Sequence, residues 1–91
     1  GSDYNDFIRI AMDIAHYHHE NWNGSGYPEG LKGDEIPLAA QIVSIIQVYC
    51  ALTDKKGYSR ETAFDIMEQE SEVKFNPVIF KICRKISRQL S

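Results

Sequence analysis

Residues 18–54 read HHENWNGSGYPEGLKGDEIPLAAQIVSIIQVYCALTD, and this stretch decides how the rest of the chain is interpreted. Its first half, up to Pro37, is rich in glycine and predicts a loop. Its second half, from Leu38 to about Thr53, is apolar on nearly every side and predicts a helix buried at the centre of a fold. A loop this long is usually functional or disordered, because most connections in compact domains are short.

Apolar residues at helical spacing extend the pattern on both sides of this stretch. They predict a first helix over residues 4–20 and a third helix that follows Ser59 as its N-cap and runs to about Glu70. The pair Asn76–Pro77 is typical of a cap and first position, and predicts a fourth helix. The sequence therefore predicts an all-α fold of about four helices and no strands, with the glycine-rich loop between the first two helices.

Composition is that of an ordinary globular chain: 91 residues, 43% hydrophobic, 25% charged and a net charge of −3. This length fits one domain or part of one. No apolar run reaches the roughly 20 residues that cross a membrane, and no signal peptide is evident, so we expect no membrane and a cytoplasmic location. Gly1 and Ser2 resemble a tag remnant, which leaves 3–91 as a partial helical domain. Cys50 and Cys83 lie in apolar helical patterns, which predicts buried free thiols.

Charge is unevenly distributed along the chain. No acidic residue follows Glu72, whereas the last helix carries several lysines and arginines. Such a pattern fits either an anionic partner or a solvated basic helix face with cations near a helix C-terminus. We favour the solvated face and expect no nucleic acid, because the basic residues share their helix with an apolar face.

A cluster of His16, His18, His19 and Glu20 ends the first predicted helix. Histidine is the commonest metal-binding side chain, and spacings of three and four residues place His16 with His19 and Glu20 on one helix face. His18 and His19 would lie roughly 100° apart around a helix, so they would serve two neighbouring metals rather than grip one together. The alternative is a set of hydrogen-bonded residues at a helix C-terminus, and this cluster alone leaves both interpretations open.

The order and spacing of the whole block resemble the HD-GYP family. Its members carry a histidine pair with a glutamate, then a Gly-Tyr-Pro loop, then a helix that starts with a glycine–acid–isoleucine–proline pattern. The resemblance implies the C-terminal helices of an HD-type all-helical domain. It also implies hydrolysis of cyclic di-GMP or a related cyclic dinucleotide by clustered iron or manganese ions, with His18 and His19 as metal ligands. The expected binding loop contains Asn23, Gly24, Gly26, Tyr27 and Pro28. Tyr27 and Trp22 could equally pin the loop onto the helices.

Two departures from the family pattern affect the expected activity. The chain contains no His-Asp pair, which in the family precedes this segment. The buried helix carries Gln47 where the resemblance implies an aspartate ligand, and Cys50 at a second aspartate position. A neutral amide is a poor substitute for a carboxylate on a hard dication. We therefore expect no catalytic residue and no cofactor in this segment alone.

Three functional hypotheses remain at this stage. The leading one is a catalytically degenerate regulatory or interaction module of cyclic di-GMP signalling, which contacts other signalling domains through its Gly-Tyr-Pro loop. The second is a metal-dependent cyclic di-GMP phosphodiesterase in a longer parent protein. The third is a structural module that forms a homodimer through uncovered apolar helix faces.

Overall fold

A computed structural model of the chain describes residues 2–90 and confirms the all-α fold. Gly1, half of the predicted tag remnant, lies outside the described residues. The four helices are α1 (Ser2–Tyr17), α2 (Leu38–Cys50), α3 (Arg60–Glu68) and α4 (Pro77–Leu90). A short 3-10 helix (Gly33–Glu35) lies in the first loop, and one π-helical turn (Ala51–Lys55) extends α2. Between residues 2 and 90 there is no strand, only an isolated bridge between Asn23 and Lys32.

Both predicted helix caps are present. The Ser59 hydroxyl accepts a hydrogen bond from the backbone N–H of Thr62 at 3.2 Å, which caps α3. The Asn76 side chain accepts from the N–H of Val78 at 3.0 Å, and Pro77 opens α4. These local signals fix the start of each helix because they satisfy backbone donors that the helix itself leaves unpaired.

The core lies where α2, α3 and α4 meet. Its buried side chains are Ile45, Phe64, Met67, Phe75 and Phe80. Phe75 and Phe80 stack with ring centroids 6.1 Å apart, so the connector between α3 and α4 is anchored beside the inner face of α2.

The prediction that α2 is buried on every side is wrong for this chain. Ala40, Gln41 and Ile45 are buried, but Ile46 is 50% exposed because the other helices cover only one side of α2. Cys50 is also exposed, which contradicts its predicted burial.

Both thiols are free, as predicted, and burial raises the pKa of the half-buried Cys83. α1 packs on α2 and leaves large apolar side chains exposed, including Phe7 at 73%. No helix within residues 2–90 is both long and apolar enough to cross a bilayer.

The basic side of α4 is not simply a solvated face, which corrects that prediction for Arg84. The Arg84 side chain is only 11% exposed and its guanidinium bonds Glu61 at 3.0 Å and Asp65 at 2.6 Å. Arg88 bonds Glu61 at 2.9 Å. The acidic residues of α3 face these arginines. The acidic and basic parts of the sequence therefore form ion pairs between two neighbouring helices.

This arginine cluster predicts an acid-sensitive contribution to stability. Hydrogen bonds from Arg88 and then Arg84 lower the pKa of Glu61 from 4.5 to about 2. The folded state therefore binds fewer protons at Glu61 than the unfolded state does between these two values. The contribution is complete above about pH 4.5 and is lost as the pH falls toward 2.

We expect Glu61→Gln to reduce the loss of unfolding free energy between pH 6 and pH 3, because the variant has no carboxylate to protonate at this position. Urea denaturation at the two pH values measures this change in the free energy of unfolding. Glu72→Gln, at an exposed acid in the α3–α4 connector, is the control and should keep the pH dependence of the original chain. An identical pH dependence in Glu61→Gln would contradict the assignment.

Candidate functional site

A buried carboxylate organises the loop between α1 and α2. Glu20 is 3% exposed, and its two oxygens accept backbone hydrogen bonds from Glu29 at 3.1 Å, Gly30 at 2.9 Å and Leu31 at 3.2 Å. Bonds from N–H groups to an ionised acceptor are stronger than neutral ones and offset the cost of burying the charge. Glu20 is therefore committed to the loop backbone.

The same loop is fixed to the far end of the fold by its backbone. The N–H groups of Trp22 and Asn23 donate to the carbonyls of Lys74 and Val73 at 3.2 and 3.0 Å. Gly24 has a φ of 88°, a backbone conformation that favours glycine. The loop thus lies against the α3–α4 connector and is not structureless.

The predicted helix over residues 4–20 ends early, which changes the geometry of the histidine cluster. α1 stops at Tyr17, so Glu20 does not share a helix face with His16. His18 and His19 follow in a turn and not on the helix, so the predicted separation of about 100° around a helix axis does not apply. Their ring centroids are 4.0 Å apart. The turn places the Glu20 carboxylate within hydrogen-bond distance of the loop backbone.

A hydrogen bond fixes the orientation of the His18 ring. Its Nδ1 lies 2.7 Å from the carbonyl oxygen of Ile14. A carbonyl only accepts, so in the neutral ring Nδ1 carries the hydrogen and Nε2 keeps its lone pair. This arrangement is common among metal-binding histidines, where a carbonyl fixes the tautomer of the ring. His19 is held differently, by stacking on Tyr27 with centroids 4.8 Å apart and planes 17° apart.

His16 has a structural role, in line with the alternative interpretation of the cluster. Its Nε2 lies 3.0 Å from a carboxylate oxygen of Glu29. Hydrogen bonds from His16 and from the Tyr17 hydroxyl lower the pKa of Glu29, and the same Glu29 contact raises the pKa of Tyr17. These contacts tie the loop to the end of α1.

One pocket of about 290 Å³ collects the three predicted metal-site residues, His18, His19 and Gln47. Of the predicted binding loop, Gly26 and Tyr27 line this pocket, whereas Asn23, Gly24 and Pro28 do not. The complete lining comprises His18, His19, Asn21, Ser25, Gly26, Tyr27, Ser44, Gln47, Val48, Lys74 and Phe75. Helix α2 contributes Gln47 to the pocket, together with Ser44 and the core-packed Val48.

These donors fit part of a metal site. His18 and His19 offer two imidazoles and Gln47 offers a neutral amide oxygen, but no carboxylate lines the pocket. Across residues 2–90, no group of three or more His, Cys, Asp or Glu side chains is arranged to hold a metal ion. A hard dication would need further, preferably anionic, ligands from outside this set.

The residues singled out from the sequence did not include four polar residues of the pocket: Asn21, Ser25, Ser44 and Lys74. Asn21 and Ser25 do belong to the loop that the sequence predicts as a binding surface. In the sequence, Lys74 belongs to the basic stretch that follows Glu72. No local pattern places Lys74 at the pocket, because its position depends on the backbone contact with Trp22.

Comparison with known proteins agrees with this geometry. A family model described as HD domain matches residues 6–79. The chain is 45% identical over 76 residues to a probable cyclic di-GMP phosphodiesterase of Vibrio cholerae, a match that covers 79% of this chain and 17% of the relative. It is 32% identical over 88 residues to a cyclic di-GMP phosphodiesterase of Thermotoga maritima, covering 92% of this chain and 24% of the relative.

A solved structure shows the same fold. The crystal structure of a cyclic GMP-AMP specific phosphodiesterase of Vibrio cholerae superposes with a TM-score of 0.75 at 27% identity. The match covers 88% of this chain and 21% of the solved chain. The chain thus spans about a fifth of the length of these relatives.

Gly26 provides a test of the loop geometry. A Cβ at this position would meet the His19 carbonyl and lie 2.5 Å from the Asn21 backbone nitrogen and 2.7 Å from Glu20 Cα. We expect Gly26→Ala to lower the free energy of unfolding by about 1–3 kcal/mol and to move the loop. The measurements are urea denaturation and ¹H–¹⁵N NMR spectra.

The matched control for this prediction is Gly57→Ala, where a Cβ has open space but φ is +72°. Its chemical shift changes should stay near Gly57, whereas those of Gly26→Ala should reach His18, His19 and Tyr27. Unchanged shifts at the histidines in Gly26→Ala would contradict the described packing.

Proposed function

The chain belongs to the HD domain family, in its HD-GYP branch, and on this basis we propose that it forms one wall of the active site of a cyclic di-GMP phosphodiesterase. The observation that carries the proposal is the pocket that brings His18 and His19 together with Tyr27 and Gln47. The names of the relatives support the same reaction class, since they hydrolyse cyclic di-GMP or a closely related cyclic dinucleotide.

His18 and His19 are the residues that would hold metal, which by resemblance is iron or manganese. When bound, such ions supply an activated water and neutralise charge on the phosphate. The chain's own contribution is positioning. The Ile14 carbonyl fixes the His18 tautomer, Tyr27 holds the His19 ring from one side, and Glu20 keeps the loop that carries Tyr27 in place.

We propose that the remaining ligands come from other parts of a longer protein. Two imidazoles and an amide do not complete a dinuclear site, and the chain spans only about a fifth of its relatives. The same protein is proposed to be cytoplasmic, because the two cysteines are free thiols and the exposed Cys50 would be kept reduced there.

A degenerate regulatory module is the second candidate, and Gln47 is the observation that favours it. An amide in place of a carboxylate would weaken metal binding. The relatives' names favour catalysis over this candidate. Two further proposals stand beside this second candidate. One is a homodimer that forms through exposed apolar residues of α1 such as Phe7. The other is contact between the loop and other signalling domains.

The first test is hydrolysis of cyclic di-GMP by the longer protein that carries this segment, purified and reloaded with Mn²⁺. We expect hydrolysis that EDTA abolishes, and a loss of about 100-fold or more in His18→Ala and His19→Ala, because each removes a metal ligand. His16→Ala is the control, since His16 faces Glu29 outside the pocket, and should stay within threefold. Metal-loaded protein without activity on cyclic di-GMP or 3′3′-cGAMP would refute the proposal.

The second test concerns Gln47. Because a carboxylate binds a hard dication better than an amide does, Gln47→Asp should raise Mn²⁺ affinity about tenfold or more, as measured by isothermal titration calorimetry on the 91-residue chain. Gln89→Asp on α4 adds the same charge away from the pocket and should leave affinity unchanged. Equal affinities in both variants would show that position 47 does not contact the metal.

A further inference from the structure

We propose that Lys74 is a substrate-binding residue whose ammonium group binds a phosphate oxygen of the phosphodiester in the His18–His19 pocket. This inference rests on the proposed function and adds to it the group that recognises the substrate's charge. Lys74 is the only lysine or arginine among the residues that line this pocket.

The backbone places Lys74 at the pocket with little freedom. Its N–H donates to the Glu70 carbonyl at 2.8 Å, and its own carbonyl accepts from the N–H of Trp22 at 3.2 Å. The next residue, Phe75, is 2% exposed and belongs to the core. The root of the lysine side chain is therefore held by the α3–α4 connector, by the loop and by the core at once, and the half-buried Lys74 is one of the residues that line the pocket.

The other hydrogen-bond donors of the pocket are largely committed to the protein. The Ser25 hydroxyl donates to Asn23 at 2.6 Å, and the Ser44 hydroxyl donates to the Gln41 carbonyl at 2.9 Å. The Asn21 amide donates to Ser25 at 3.1 Å. A lysine ammonium has three N–H donors. The Lys74 ammonium has one ion-pair contact, with Glu70 at 3.4 Å. Lys74 thus keeps two of its three N–H donors for an anion, and it differs from the Gln47 amide, which can also donate, in carrying a positive charge.

The charge distribution suits a phosphodiester rather than a neutral ligand. None of the side chains that line the pocket is acidic. Glu70, the ion-pair partner of Lys74, is not among the residues that line the pocket. Both side chains of the pair are over 40% exposed. An ion pair this exposed contributes little free energy, so a phosphate oxygen can replace the Glu70 carboxylate as the partner of Lys74.

The pair makes a two-sided prediction. Lys74→Gln should weaken anion binding, because it removes a charge-assisted hydrogen bond and keeps a side chain of similar length. Glu70→Gln should strengthen it, because the competing carboxylate is gone. A purely structural ion pair would not respond in this way, since breaking it from either side would have the same effect or none.

The experiment is an NMR titration of the ¹⁵N-labelled chain with inorganic phosphate, at constant ionic strength with chloride as the balancing anion. We expect the shift changes to centre on Lys74 and Asn21. The apparent Kd should rise about tenfold in Lys74→Gln and fall about threefold in Glu70→Gln. Lys74→Arg should retain binding, which shows that charge at this position is what matters.

Matched controls distinguish this site from general charge effects. Lys85→Gln on α4 and Glu72→Gln on the connector change net charge by the same amounts and should leave the Kd within twofold of the original chain. The inference is overturned if Lys74→Gln binds phosphate as well as Lys85→Gln does, or if Glu70→Gln and Glu72→Gln have equal effects.

The longer protein separates this inference from the proposed function. With cyclic di-GMP as substrate, Lys74→Gln should raise KM about tenfold with a smaller change in kcat. Hydrolysis with an unaltered KM in Lys74→Gln would overturn the role of Lys74 and leave the proposed function in place. Phosphate binding by Lys74 without any hydrolysis would refute the proposed function and support an anion site that has no catalytic role.

Discussion

The buried carboxylate of Glu20 is the interaction on which the candidate site depends. Its two oxygens accept three backbone N–H groups from the loop, so a segment with little apolar area of its own is held in one conformation. That conformation brings the Tyr27 ring onto His19, while the Ile14 carbonyl orients His18 beside it. Replacement by an amide of equal size would turn one acceptor into a donor that faces other donors. The charge of Glu20 therefore stabilises the loop conformation. It affects the site only through this conformation.

Helix α2 contributes residues to both the core and the site. Ile45 packs into the aromatic core, and Gln47, two residues later, lines the pocket. The two positions point in different directions because successive residues of a helix are separated by about 100°. A helix that is apolar all round but covered on one side leaves residues such as Ile46 exposed, and burial of those residues requires another surface.

The sequence was most informative where a residue type has one strong local preference. Ser59 and Asn76–Pro77 mark the starts of α3 and α4 because unpaired N–H groups at a helix N-terminus require an acceptor. The end of α1 was misjudged, since a helical pattern cannot show that Glu20 has a better partner in a loop nine to eleven residues away. Lys74 was missed for the same reason, because its place in the pocket depends on a tertiary contact with Trp22.

Gln47 and Lys74 bear on the charge of the site in the same direction. A cyclic dinucleotide brings two phosphodiester charges, and a site that binds it must offset them with metal ions and cationic side chains. Gln47 adds no charge to this wall, while Lys74 adds a positive one. Under the proposed function, such a wall would hold a metal ion less firmly than one with a carboxylate at position 47 and would attract phosphate more strongly. The amide at Gln47 is thus compatible with a site that relies on this wall for substrate binding and on other parts of the protein for most of its metal affinity.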